Sequence, residues 1–342
     1  VSPAEKIVAG IDLGGTAINY TFLDERGQFL IDGLCEHPAR SVEGPDVCLA
    51  QIAAGLALAA ARAGVDLGTL VAVGLDTPGP ASSAGVLSRR GSTNFVHPAW
   101  AGFDMRGGLE ATLGLPVTYL NDGNAAALWG HVSIFGSENE AASVSAIVGT
   151  GLGGGVVTGG RVVTGRNGFG GELGHVLIPF QSIPGIDGLV PACNCGRTGD
   201  LESLCSLTAI RRTLLPHFLS HSPDHPLAAQ ADIAAAAKLV RGMAEQGDRL
   251  CRDIFRVQAR ALGLFFDEMV NVFDPDALIV GGGAVETSAD FRGWFIDEIR
   301  AGMPAQRQEQ DDLPIHVMPA GDSAGARGAA LDAARLVREQ SL

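Results

Sequence analysis

The chain has 342 residues, 46% hydrophobic and 18% charged, a well-buried globular composition that excludes a disordered protein. Its 24 Lys and Arg against 38 Asp and Glu give a net charge of −14, which repels a phosphate backbone, so no nucleic-acid partner is expected. The length suits two lobes better than one core, and an anionic small ligand must be held locally, by backbone amides and metal ions.

The opening residues lack a basic region followed by an apolar core, so no signal peptide is expected. Ile7–Ile11, Tyr20–Leu23 and Phe29–Gly33 read as an antiparallel meander turned at Asp24-Glu25-Arg26-Gly27. Pro45 to Ala63 reads as an alanine-rich helix stopped by Gly64. Within it, Ile52–Ala61 is the longest apolar run, well short of the ~18 residues that span a bilayer, so no membrane association is expected. Leu70–Leu75 is a buried strand ending in the sharp turn Asp76-Thr77-Pro78-Gly79-Pro80. Phe103 to Leu113 is a helix closed by Gly114, Val117–Leu120 a buried strand, and Ala125–His131 a helix-like run.

The second half repeats the theme, with strands at Val144–Val148, Gly155–Thr158 and Arg161–Thr164 and an irregular glycine- and cysteine-rich stretch from Asn167 to roughly Gly199. Helices follow at Leu207–Leu215, Ala228–Gln246 and Gly247–Phe273, then strands Ala277–Val280 and Ile315–Met318 and a closing helix Ala324–Arg338. This order is an α/β duplication, whose ligands bind at the carboxyl ends of strands. The expected division is a small lobe, 1–122, and a larger one, 123–323, with the segment 324–342 returning to the first. Six cysteines in a chain this size make no disulfide scaffold, so a cytoplasmic, reducing location is expected.

Two glycine turns carry the chemistry. Asp12-Leu13-Gly14-Gly15-Thr16 and Gly149-Thr150-Gly151-Leu152-Gly153-Gly154-Gly155 each follow an apolar run. Such turns expose N–H groups and admit an anion without Cβ interference, which suits opposing jaws for a polyphosphate. Asp12 can hold Mg²⁺ through water. Neither turn is a Walker loop, because no Gly-Lys-Ser/Thr is present. Gly281-Gly282-Gly283, after a strand, can admit a flat adenosine moiety. Asn121-Asp122-Gly123-Asn124 also follows a buried strand; Asp122 is the candidate general base, and an Asx turn capping the next helix is the alternative use of these residues. Cys193 and Cys195 are too close in sequence to bridge each other easily, but both can face one structural Zn²⁺ with His175, the fourth ligand being Asp200 or Cys205. Glu172 and Glu202 can accept hydrogen bonds from sugar hydroxyls.

These motifs, together with Thr77-Pro78-Gly79 and Asp322-Ser323-Ala324-Gly325, are collinear over nearly the whole chain. The sequence resembles the ROK family (repressors, open reading frames and sugar kinases), whose fold is the duplicated ribonuclease-H-like, actin-like ATPase with two lobes around a cleft. The resemblance implies ATP- and Mg²⁺-dependent phosphorylation of a hexose at its primary hydroxyl, glucose first, with N-acetylhexosamine, mannose and fructose as alternatives and polyphosphate as an alternative donor. It implies Asp122 as base; Gly79, Asn94, Asn121, Glu172, His175 and Glu202 as sugar contacts, with Asp122; and Asp12, Gly14, Gly15, Thr16, Thr150, Gly151, Gly153, Gly282 and Gly283 on the nucleotide. His175, Cys193, Cys195 and Asp200 would hold Zn²⁺, and a homodimer or dimer of dimers is the expected assembly. Two positions depart from the family: Asp200 stands where a third cysteine is usual, and Ala17 where many members carry lysine. A sugar-sensing repressor would need a helix-turn-helix ahead of Ile7, where six residues stand; a non-catalytic sugar binder would not need Asp12, Asp122 and both glycine turns.

Overall fold

A computed structural model describes residues 6–89, 94–137, 139–304, 312–319, 321 and 323–340; Asp322 lies outside them. The chain forms two compact units, one of residues up to Asn139 with Gly155–Gly171 and Gly321–Leu342, the other of Glu140–Gly154 and Glu172–Ala320.

In the first unit the elements run β1 (Ile7–Leu13), β2 (Ala17–Leu23), β3 (Glu36–Pro38), α1 (Pro45–Ala63), β4 (Leu70–Thr77), α2 (Met105–Leu113), β5 (Val117–Asn121) and α3 (Asp122–Phe135). The strands form one sheet in the order β3-β2-β1-β4-β5, with β1 antiparallel to β2 and parallel to β4. The Asp24 carboxylate closes the first hairpin by accepting from Arg26 N and Gln28 N. The expected strand Phe29–Gly33 is not formed. Phe29 only bridges Leu23, Gly33 turns away at φ 82°, and the third strand comes later, at β3. Pro45 starts α1 and left-handed Gly64 ends it, as its sequence predicts. By length and composition α1 could cross a bilayer, but its Cys48, Leu49, Ile52 and Leu56 are buried in the core with Ala9, Ile11 and Leu13 of β1.

The second unit holds β6 (Ala142–Val148) and the start of β7 (Leu152–Thr158), which continues into β8 (Arg161–Val162). Then come the helical run α4 (Leu207–Ala209), a π-turn and α5 (Leu215–Ser220), followed by α6 (Ile233–Glu245), α7 (Arg249–Phe273), β9 (Ala277–Gly281), α8 (Ala289–Arg300) and β10 (Ile315–Val317). The second sheet has the order β10-β9-β6-β7-β8. Counted from its own first strand this is the order of the first sheet, so the duplication is visible in topology. Helix α6 starts later than expected because Asp232, not an earlier residue, caps it through Ala234 N, and Asp248 caps α7 after Gly247 breaks the chain. Sequence reading missed α8. Its signals are the cap Ser288 and the buried spacing Phe291, Phe295, Ile299, which packs on Phe255 of α7.

The last element, α9 (Ala324–Gln340), belongs to the first unit and lies on the face of β1 and β4 opposite α1. A Cβ on Gly10 would stand 1.9 Å from Ala326 O, and one on Gly74 1.8 Å from Ala329 O. Those glycines let helix backbone touch sheet backbone.

Candidate functional site

In the first unit, alternation along β1 and β4 turns Asp12 and Asp76 toward the α9 face, and the parallel register sets them side by side. A Cβ on Gly325, in the first turn of α9, would stand 3.0 Å from Asp12 Cγ and 3.1 Å from Asp76 Oδ2. Asp76 is fully buried and neither of its oxygens has a hydrogen-bond partner among the described residues. Burial first, then the charges of Asp12 and Asp122, push its carboxyl well above the usual carboxylate range. Its register partner Asp12 is another carboxylate, and a hydrogen bond can form between the two only if one of them is protonated. Sequence reading took Asp76 for the start of a turn. The missed signal is the repeated pattern Gly10-Ile11-Asp12 and Gly74-Leu75-Asp76 at the ends of two buried strands.

Gly14, Gly15 and Thr16 form the turn between β1 and β2, closed by Gly14 N donating to Ala17 O at 2.9 Å. The turn is braced from behind, where Ser41 Oγ donates to Gly15 O while the buried Trp100 indole holds Ser41 O at 2.8 Å. Asn94 packs on Gly15, whose Cβ would lie 3.2 Å from Asn94 O. Gly79 stands two residues past the end of β4, in a cis bond to Pro80. At the end of β5, Asn121 caps α3 by accepting from Gly123 N at 2.9 Å. Asp122 is the exposed first helical residue, its Oδ1 accepting from the same N–H, so the capping duty falls on its neighbour. Asn124 is buried, donating to Gly170 O at 2.8 Å.

In the second unit, the second glycine run divides. Gly149, Thr150 and Gly151 make the turn, with Gly149 N donating to Gly151 O. Gly153 lies inside β7, and Gly154 is glycine for packing, since its Cβ would meet Ser145 O at 2.6 Å. The start of α4 buttresses the turn through Leu207 N to Gly149 O and Thr208 to Thr150 O. A cavity of about 340 Å³ opens beside it, between Gly149 and Thr150, Leu207, the α6 residues Ala237 and Arg241, and Gly283. Arg241 donates to Gly283 O at 2.9 Å. Gly282 adopts φ 81° and brings its chain within 2.5 Å, at a Cβ position, of Val148 O; only glycine fits there.

Glu202 ties this turn to the neighbouring loops. Its Oε2 accepts from Leu152 N at 2.9 Å, and its Oε1 lies 3.7 Å from Cys193 Sγ. Glu172 stands near His175 and Glu202; crowding by surrounding protein raises its pKa, the His175 charge opposing and the Glu202 charge adding. His175 Nδ1 lies 3.1 Å from Asp200 Oδ2 and 3.8 Å from Cys193 Sγ, and Cys195 Sγ lies 3.3 Å from the same carboxylate oxygen. The four donor atoms all lie within 4.8 Å of one another. Ligands of a tetrahedral zinc at 2.0–2.3 Å are about 3.6 Å apart, so the set fits that ion. Cys205, the other candidate fourth ligand, is buried elsewhere, with its thiol 3.6 Å from Gln258 O.

The ROK family model matches residues 8–335. The glucokinase of Streptomyces coelicolor is 31% identical over 287 residues, covering 81% of this chain and 82% of that one. Among solved structures, the ROK hexokinase of Thermus thermophilus is 31% identical with a TM-score of 0.75, covering 97% of this chain and 99% of that one. A ROK family glucokinase from Streptomyces griseus, in complex with glucose and AMPPNP, is 28% identical with a TM-score of 0.71, covering 96% and 99%. The chain belongs to the ROK family and has its actin-like ATPase fold.

Proposed function

We propose that this ROK-family sugar kinase transfers the γ-phosphoryl group of ATP to the primary hydroxyl of glucose or a close relative. The observation that carries the reading is Asp122, an exposed carboxylate at a strand end whose capping duty is done by Asn121. A carboxylate at that position can take the hydroxyl proton as the oxygen attacks phosphorus. Its likeness to a glucokinase crystallised with glucose and AMPPNP supports the same substrates.

The remaining roles follow from chemistry. Gly79, Asn94, Asn121, Glu172, His175 and Glu202 are assigned to sugar hydroxyls, the carboxylates as acceptors. The amides of Gly14, Gly15 and Thr16, and of Thr150, Gly151 and Gly153, are assigned to the phosphates. The cavity beside Gly282 and Gly283 is assigned to adenosine. Asp12 would hold Mg²⁺, whose charge offsets that of the phosphoryl oxygens. His175, Cys193, Cys195 and Asp200 would hold a structural Zn²⁺, fixing the loop that carries His175 and Glu202.

The test is a coupled ADP-release assay over glucose, N-acetylglucosamine, mannose and fructose; no turnover with any hexose overturns the reading. Arg241→Ala removes a charged hydrogen bond to Gly283 O, worth roughly 1.5 kcal/mol, so KM for ATP should rise about tenfold with the sugar KM unchanged. An unaltered ATP KM removes that cavity from nucleotide binding. Cys195→Ser should lose bound zinc by elemental analysis and weaken sugar affinity. Absence of zinc from the unmutated protein defeats the metal assignment.

A further inference from the structure

The Asp12–Asp76 pair is unexplained by the roles assigned above. A fully buried carboxylate with neither oxygen partnered among the described residues is costly to ionise and gains nothing from a second carboxylate beside it. Two arrangements relieve this: a shared proton or a cation. Both Asp12 and Asp76 point at the first turn of α9, and Asn19 Nδ2 reaches Asp12 Oδ2 at 3.4 Å, steadying that side of the pair. The donor set is carboxylate oxygen throughout, the hard set that suits Mg²⁺ or Mn²⁺ and not a thiophilic ion.

We propose that Asp76 is a second, direct ligand of the divalent cation, so that Asp12 and Asp76 together bind Mg²⁺ in the protein without nucleotide. The inference rests on the reading of Asp12 as the cation-side carboxylate and deepens it. With Asp12 alone, the cation would arrive with the nucleotide and be held through water. With Asp76 added, the site is charged beforehand and awaits the phosphates.

The probe is Mn²⁺ titrated into the full-length, nucleotide-free protein and followed by the loss of its free electron paramagnetic resonance signal. One Mn²⁺ per chain, displaced by Mg²⁺, is expected, with affinity at least tenfold weaker in Asp76→Asn and in Asp76→Ser. The same stoichiometry in Cys195→Ser separates this site from the thiol cluster. No Mn²⁺ bound by the unmutated protein overturns the proposal whether or not either variant folds; so does undiminished affinity in a folded Asp76 variant. Hexose phosphorylation is measured separately. A protein that phosphorylates glucose yet binds no Mn²⁺ alone loses this site and keeps its kinase reading, and the converse result does the opposite.

Discussion

Asp122→Asn is expected to lower kcat by roughly 10²–10⁴ while leaving sugar affinity nearly unchanged. The amide keeps the shape of the carboxylate and its acceptor oxygen for Gly123 N, and helix α3 retains its Asn121 cap. What it cannot do is accept the hydroxyl proton, so the loss falls on the step in which oxygen attacks phosphorus. The kcat comes from the coupled assay and the sugar Kd from calorimetry without nucleotide. Near-normal turnover would remove Asp122 from the role of base, and a matching loss of sugar affinity would mark it as a binding residue instead.

Gly74→Ala should cost roughly 3 kcal/mol or more of stability. The added Cβ would stand 1.8 Å from Ala329 O and 2.3 Å from its carbonyl carbon. Those are backbone atoms in the middle of α9, with no flexible tip to swing aside, so the helix must lift from β4 along its length. A chain of this size should then melt about 4 °C lower or more. Activity should fall with it, because the first turn of α9 abuts Asp12 and Asp76. Gly293→Ala is the control: on α8 its Cβ meets nothing within 4 Å, and a helix gains about 0.5–1 kcal/mol from alanine over glycine. Equal melting temperatures for the unmutated protein and Gly74→Ala would mean that α9 does not pack as described.

Local signals were legible wherever local chemistry decides. Pro45 and Gly64 bound α1 because one fits a first turn and the other a left-handed stop. Short apolar runs ending in Gly, Asp or Asn marked the strand ends that carry Asp12 and Asn121. The same reasoning failed where a distant partner decides. Phe29–Gly33 has a strand's composition, yet the edge of β2 is taken by Glu36–Pro38. Gly154 looked like part of a phosphate turn, but the crowding of Ser145 O requires its missing side chain.

Composition, turn chemistry and the ordered motifs were enough to establish an α/β duplication of the ROK type, because each depends on residues near one another in sequence. Which aspartates meet was decided by tertiary structure alone. Asp12 and Asp76 are 64 positions apart, and only the parallel register of β1 on β4, with α9 laid across two glycines, sets them together beside the first turn of that helix. Burial and charge proximity are properties of that packing, and no stretch of sequence holds them by itself.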